Sequence, residues 1–337
     1  MVTAQQMVSP PNDAGAYRNA TVAVLGASGF IGRWVAGALI ESGASVALVA
    51  RRAESIHRRL ATGTRATVRE ADLASESAVR EAIAAIQPAI VFNLAGYGVD
   101  RGERDEEPAH AINAELPRWI VDAMAEVPEA SWNGQRVIHV GSALEYGEIG
   151  GDLAEDSDPN PTTLYGRTKL AGTLALRDAC ASTGCRGLTA RLFTVYGAGE
   201  HPGRLLPTLL EARAHDERIP LSAGHQRRDF TYVEDVADGL LRLGMLTTPV
   251  PGEIVNLATG TLTEVRAFVV EAARVLGIAP ERLDFGALPT RTEEMQHDPV
   301  SVRRLRVLLE NGVPDTPIAE GVRRAADHAD AEPVASA

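Results

Sequence analysis

The chain of 337 residues predicts an α/β fold built on a doubly wound parallel sheet, with a smaller, mainly helical region added in its second half. Two observations carry this. A glycine-rich loop, Gly26-Ala27-Ser28-Gly29-Phe30-Ile31-Gly32, separates a strand-like run from a helical one, and strand-like and helical patterns then alternate along most of the chain. Residues 21–25 form an apolar run ending at glycine, as a buried strand does. Residues 31–42 read as a helix and 45–50 as the second strand. Further strands are predicted at 66–69, 89–94, 136–140, 187–192 and 253–256, with helices between them, for example at 76–86 and 109–125. Alternation of this kind gives parallel strands joined by crossover helices. In such a sheet ligands collect at the C-terminal strand ends. Gly26, Ala50, Asp72, Asn93, Leu94, Ala95, Gly96, Ser142, Arg191, Leu192 and Phe193 all fall there.

Composition excludes several function classes. A net charge of −12 and a pI near 5.2 argue against a nucleic-acid-binding surface and against an anionic membrane. Only Cys180 and Cys185 occur, too few for a disulfide framework, which points to a reducing cytoplasm. No apolar run is long enough to span a membrane, and no metal-ligand spacing is present. Residues 1–18 are polar and contain proline, so they read as a disordered tail; 329–337 read as a frayed end. The text from 197 to 228 is loop-rich, and from 263 onward short helices and turns are predicted. The expected division is therefore a cofactor domain at 19–196 with returns near 229–262, and a substrate-binding domain at 197–228 and 263–328.

Two constellations carry chemistry. The glycine loop lets backbone approach a pyrophosphate, which then sits on the positive helix N-terminus. This predicts a dinucleotide held by Gly26, Ser28, Gly29, Phe30, Ile31 and Gly32. The second is the Tyr-x-x-x-Lys pair Tyr165 and Lys169, which share one helix face, with Ser142 as partner hydroxyl. A phenol with a reference pKa near ~10 is a poor proton donor–acceptor at neutral pH, and a neighbouring ammonium is expected to pull that pKa down. Such a group can exchange a proton with a carbonyl or hydroxyl.

The motifs GASGFIG (26–32), DL (72–73), NLAG (93–96), GSALEYG (141–147), YGRTK (165–169), RLFTVYG (191–197), RRDFTYVEDV (227–236) and NLATG (256–260) occur in order. With these the chain resembles the extended short-chain dehydrogenases/reductases, the nucleotide-sugar epimerase/dehydratase family, over roughly residues 20–325. The resemblance implies a Rossmann-type fold and specific roles. Ser142 would hydrogen-bond the sugar oxygen undergoing redox, Tyr165 would exchange its proton, and Lys169 would hold the cofactor ribose. Asn113 would support Lys169 through water. Asp72 and Leu73 would border adenine, and Leu94, Ala95, Gly96 and Leu192 would line the rest of the cofactor. Arg228 and Arg291 would clamp the substrate diphosphate, with Thr194 and Leu206 beside it; the alternative for Arg228 is a surface ion pair with Asp229 or Glu234. A homodimer is also implied, pairing the helix that starts near Tyr165 with the one after Ala109. The Ala- and Leu-rich run 169–181 suits close helix packing.

Departures from the family pattern narrow the reaction. Where an acidic residue usually binds the adenosine ribose stands Ala50, followed by Arg51 and Arg52, which favours NADP(H) while leaving NAD(H) possible. Where dehydratases carry an Asp–Glu pair after the hydroxyl residue stand Ala143 and Leu144, so the acid and base for elimination are missing. Glu145, one residue further on, is read as structural. Thr194 replaces an asparagine. The expected function is NADPH-dependent reduction of a keto group, at C4, on a nucleotide-activated deoxysugar. The alternative is a nucleotide-sugar 4-epimerase using bound NAD, and a third reading is a non-catalytic NADP-binding regulator. Nothing in the sequence identifies the sugar or the base.

Overall fold

The computed structural model describes residues 15–57, 66–98, 102–128, 132–149, 151–248, 251–289, 299–310 and 312–331. The strands are β1 (Thr21–Leu25), β2 (Ser45–Ala50), β3 (Ala66–Glu70), β4 (Ile90–Asn93), β5 (Val137–Ser142), β6 (Gly187–Leu192), β7 (Thr194–Tyr196), β8 (Ile219–Leu221), β9 (Arg227–Tyr232), β10 (Glu253–Leu257), β11 (Leu262–Glu264) and β12 (Leu283–Phe285). The α-helices are α1 (Phe30–Glu41), α2 (Ala53–His57), α3 (Glu76–Ile86), α4 (Glu106–Ala109), α5 (Leu116–Glu126), α6 (Leu164–Thr183), α7 (Leu205–Ala212), α8 (Val233–Gly244), α9 (Val265–Leu276), α10 (Arg303–Leu308) and α11 (Ile318–Ala331).

Seven strands pair in the order β10-β6-β5-β4-β1-β2-β3, every pair parallel. The pleat divides the sheet between two cores. Val22 and Val24 of β1 join a cluster with Val35 and Leu39 of α1 and Val236 and Leu240 of α8. Ala23 and Leu25 face the other way, onto Val79 and Ile83 of α3, Ile120 and Met124 of α5 and Leu176 of α6. Strands covered on both faces are mostly apolar, which is why β1 and β4 read as nearly unbroken apolar runs, while β6 buries Thr189 and Arg191 among its apolar residues. The strand order reverses at β1, between β2 and β4, and this opens the crevice where ligands of such sheets bind.

A third core joins β7, β9 and helices α7, α9 and α11 around Phe230 and Phe268, whose rings stack at 4.2 Å. Here β9 pairs with β7 in parallel and with β11 antiparallel, while β8 pairs with β12. Helices α9 and α11 run 12 and 14 residues, longer than the short helices expected there.

Two further expectations change. The tail assigned to residues 1–18 does not reach that far: Tyr17 is fully buried, stacks on Trp132 and donates its hydroxyl to Leu241 O at 2.6 Å. The helix expected at 109–125 starts at Glu106 and passes through a π-helical segment, His110–Glu115. Pro117 has no amide hydrogen to give the Asn113 carbonyl four residues back, so the regular ladder breaks there. Gly172 of α6 approaches that carbonyl so closely that a Cβ would stand 1.9 Å from it. The close packing expected of α6 is thus used within the chain, against the π segment.

Candidate active site

The loop from Gly26 to Gly32 closes the crevice. Gly26 has φ +78°, and a Cβ on it would lie 2.7 Å from the backbone of Leu94 and Ala95. A Cβ on Gly32 would lie 2.2 Å from Gly26 O, so α1 packs directly on the loop. Gly29 caps α1 without a side-chain hydrogen bond, and no acidic residue stands in the first turn. Amides at that terminus, with Phe30 and Ile31 leading the helix, suit an anion such as a pyrophosphate. The residues present therefore fit a dinucleotide. At the adenosine end, Arg51 and Arg52 are exposed, Leu73 is buried, and Asp72 Oδ1 accepts from Ala74 N at 3.1 Å. A carboxylate does lie across the end of β2, supplied by β3: Glu70 Oε1 accepts from Ala53 N at 2.8 Å.

The strand ends bring Ser142, Tyr165 and Lys169 together. Ser142 ends β5 beside Leu192 of β6, and Tyr165 and Lys169 lie in the first turns of α6, which Thr163 caps through Gly166 N. Ser142 stands near enough to the Tyr165 phenol to favour its ionised form. Lys169, only 2% exposed, donates from Nζ to Val140 O at 2.8 Å. Gly96 stands over this pair, where a Cβ would find Asn113 Oδ1 at 3.8 Å and Lys169 Nζ at 3.9 Å.

The electrostatics differ from the expectation of a phenol tuned downward by its lysine. Burial pushes Tyr165 up to about 12, the Glu145 carboxylate adds to the rise, and the Ser142 hydroxyl opposes it. Burial also brings Lys169 down to about 8, with Glu145 acting the other way. For each group, removal from water outweighs the neighbours that oppose it, Ser142 and Arg204 for Tyr165 and Glu145 for Lys169. Beneath them, Asn93 Oδ1 accepts from Ala95 N, so its Nδ2 donates to His139 Nδ1 at 3.1 Å. That leaves the ring proton on Nε2, and burial with Lys169 nearby holds His139 well below its usual value.

Asn113 is buried, but its side chain holds backbone: Nδ2 donates to Tyr97 O at 2.8 Å and to Thr168 Oγ1 at 3.0 Å, and Oδ1 accepts from Tyr97 N at 2.9 Å. Thr194 is half-buried on β7. Arg228 is half-buried on β9 and donates to Arg227 O at 3.1 Å. Of the two acids weighed as ion-pair partners, Asp229 is buried and accepts from Thr259 and Gly260, and Glu234 accepts from Arg324 and Tyr232. Leu206 does not stand beside a substrate: it is 0% exposed in the third core, because the apolar face of α7 carries it inward. Arg291 lies outside the described residues. Cys180 and Cys185 are buried and not joined in a disulfide, and burial pushes the Cys180 thiol up to about 12. An open hollow of about 410 Å³ at the starts of β1–β3, lined by Ser45, Thr67 and Arg69 among others, lies at the opposite edge of the sheet from this chemistry.

Glu145, read as structural, is fully buried in an ion pair with Arg191 and accepts from Ser142 N; its contacts were not foreseen, though the Ser-x-x-Glu spacing at 142–145 signals the second of them. Ala198 O receives hydrogen bonds from both Arg33 and Trp34 of α1, for which the sequence carries no signal.

Comparison with known proteins agrees with this geometry. A model described as NAD dependent epimerase/dehydratase family matches residues 22–258. Among curated proteins, dTDP-4-dehydrorhamnose reductase of Streptomyces griseus is 31% identical over 264 residues, 77% of each chain. The dTDP-6-deoxy-L-talose 4-dehydrogenase (NAD(P)(+)) of Kitasatospora kifunensis is 30% identical over 280 residues, 78% of this chain and 81% of the relative. Among solved structures, UDP-glucuronic acid 4-epimerase from Bacillus cereus, in complex with UDP-glucuronic acid and NAD, matches with a TM-score of 0.78 at 21% identity over 92% of this chain and 99% of that one. MoeE5 in complex with UDP-glucose and NAD matches with a TM-score of 0.78 at 26% identity and the same coverage. Among the described residues no helix is long and apolar enough to cross a membrane, and no group of three or more His, Cys, Asp or Glu could hold a metal.

Proposed function

The chain belongs to the NAD dependent epimerase/dehydratase family, the extended short-chain dehydrogenases/reductases, and from that premise we propose that it reduces the C4 keto group of a nucleotide-activated deoxysugar with NADPH. One observation carries the reading. The Ser142 hydroxyl, the Tyr165 phenol and the buried Lys169 meet where β5 ends and α6 begins, while the two positions after Ser142 are the apolar Ala143 and Leu144. A proton can therefore be given to one oxygen, but no side chain at those positions can drive loss of water from the sugar. The relatives that reduce or oxidise dTDP-sugars at C4 support the same choice.

The bound nicotinamide would supply the hydride. The chain's own residues do the rest: Ser142 hydrogen-bonds the carbonyl oxygen, Tyr165 delivers the proton to that oxygen, and Lys169 anchors the cofactor ribose. Asn113 holds the Tyr97 backbone and the start of α6 in place. Arg228, with Arg291 and Thr194, grips the diphosphate. The exposed Arg51 and Arg52 favour NADP(H) by pairing with a 2′-phosphate, and Glu70 beside them opposes that preference. The substrate-binding domain is drawn from 197–228 and 263–328, joined by β7 and β9 in the third core, although Val300, Val302, Leu305, Leu309 and Val313 pack in the core of the seven-stranded sheet. The protein works as a homodimer in the reducing cytoplasm.

A second reading, nucleotide-sugar 4-epimerisation with retained NAD, is favoured by the two solved structures that hold NAD with a UDP-sugar. Anaerobic incubation with NADPH and a panel of 4-keto and ordinary nucleotide sugars separates the two. Stoichiometric NADPH loss supports the reductase; interconversion of two hexoses without net loss replaces it with the epimerase. Tyr165→Phe should lower turnover at least about a hundredfold with cofactor affinity little changed, and near-normal activity would end the assignment of Tyr165.

A further inference from the structure

We propose that Glu145 is a positioning residue of this active site: through a buried ion pair with Arg191 it aims the Ser142 hydroxyl at Tyr165 and the substrate oxygen. This rests on the reading of Ser142 and Tyr165 given above. Glu145 is 0% exposed, and its carboxylate is shared three ways. Oε1 accepts from Ser142 N at 2.8 Å; Oε2 accepts from Arg191 Nε at 2.8 Å and from Thr173 Oγ1 at 3.0 Å. The acceptor is thereby tied to β5, β6 and α6 at once. Ser142 Oγ in turn accepts from Leu144 N at 3.2 Å, closing a capping box over the short 3₁₀ turn Ala143–Glu145. With that lone pair occupied, the hydroxyl keeps one lone pair and its proton for the side on which Tyr165 stands.

A stabilising role alone does not account for the pair. Arg191 is 2% exposed, lies over the Tyr146 ring at 4.5 Å, and keeps a buried Nη1 without a hydrogen-bond partner among the described residues. Buried ion pairs are often no better for stability than apolar residues of the same volume, and an unmet donor makes this one worse. What an apolar replacement could not supply is an acceptor for Ser142 N and a negative charge under the Tyr165–Lys169 pair.

The test replaces both charges together, because Glu145→Gln alone would strand a buried guanidinium. In Glu145→Gln/Arg191→Met the amide oxygen can still accept from Ser142 N; in Glu145→Leu/Arg191→Met it cannot. Circular dichroism confirms folding of both. Turnover of a 4-keto nucleotide sugar should be at least about tenfold lower in the Leu pair than in the Gln pair, with the KM for NADPH the same in both. The alkaline limb of the Gln pair should start at lower pH than in the unaltered protein. Around Tyr165 the charged groups are Glu145, Arg204 and Glu103, and around Lys169 they are Glu145 and the neutral His139; of these only the Glu145 carboxylate is removed, while Arg191, removed with it, acts on Glu145 and Tyr146. The same change is read without any substrate, by titrating Tyr165 in difference absorbance against its Tyr165→Phe counterpart. Equal turnover in the two pairs, or Tyr165 titrating identically in all three proteins, overturns the proposal. A shifted titration in a protein that reduces no keto sugar keeps it and removes the ketoreductase reading instead.

Discussion

Replacing Lys169 by Met should make the fold more stable while destroying the activity. Lys169 is buried, and its ammonium falls from 10.5 to about 8, so holding the charge in place costs about 3 kcal/mol at about 1.4 kcal/mol per pH unit. The Met side chain fills the same space without that cost. Against this stands the hydrogen bond to Val140 O, whose loss costs ~1–2 kcal/mol. The net expectation at pH 7 is a gain of about 1–2 kcal/mol with turnover at least about a hundredfold lower. The pH dependence carries the same signature. Between pH 8 and 10.5 the unfolded chain keeps a proton that the native chain has released, so the unaltered protein gains stability as pH rises through that window, whereas below pH 8 the full cost is present. Urea unfolding of both proteins at pH 7, 8, 9 and 9.5, taken as a difference so that other titrating groups cancel, measures this. The Met variant's advantage should shrink steadily above pH 8. An advantage that is absent at pH 7, or constant with pH, would mean that burial does not depress this lysine.

Four other variants separate competing effects. Ala50→Asp with Arg51→Ala should shift preference from NADPH towards NADH, and Glu70→Gln should shift it the opposite way; ratios of kcat/KM for the two cofactors decide, and a protein that already prefers NADH contradicts the cofactor reading. Arg228→Met should weaken nucleotide-sugar binding by ~1.5–3 kcal/mol, or tenfold to above a hundredfold, without touching NADPH binding; calorimetric titration showing unchanged binding of a nucleoside diphosphate would return Arg228 to the surface. Burial pushes the Glu200 carboxyl up to about 8, against the pull of Arg204, and its Oε2 has no partner among the described residues. Between pH 4.5 and 8 the native chain then holds a proton that the unfolded chain has lost, so stability falls as pH rises. Glu200→Gln should gain on the unaltered protein by up to about 1.4 kcal/mol per pH unit across that window, and parallel stability curves would contradict it.

Local pattern was enough wherever burial on both faces demanded an apolar run. The strands 21–25 and 45–50 came out with their observed bounds for that reason, and 187–192 did so although it buries Thr189 and Arg191. The meeting of Ser142, Tyr165 and Lys169 was legible only because the motif spacing placed them at neighbouring strand and helix ends. What failed depended on contacts distant in sequence. Tyr17 is held by Trp132 and Leu241, and nothing near residue 17 announces them. The π segment needs Pro117, which is visible, and Gly172, which is remote. The phenol of Tyr165 was expected to be tuned by its nearest cation, but how much water surrounds it is a property of the whole crevice. Leu206 was assigned by position along the chain, when the inward face of α7 was what mattered.

The bond acceptor at Ala198 bears on how such a protein can be remodelled. Its carbonyl receives both the Arg33 guanidinium and the Trp34 indole, the latter at 3.0 Å, so the segment after β7 is pinned to the helix that follows the glycine loop. A Cβ at Gly199 would collide with that same guanidinium. Segment 197–228 is therefore not a self-contained part of this chain. A graft that brings a bulkier residue at 199, or a host that lacks Arg33 and Trp34, would leave the transplanted loop without its anchor. New substrate preferences would more readily arise by changes made jointly in α1 and in this loop than by swapping the loop alone.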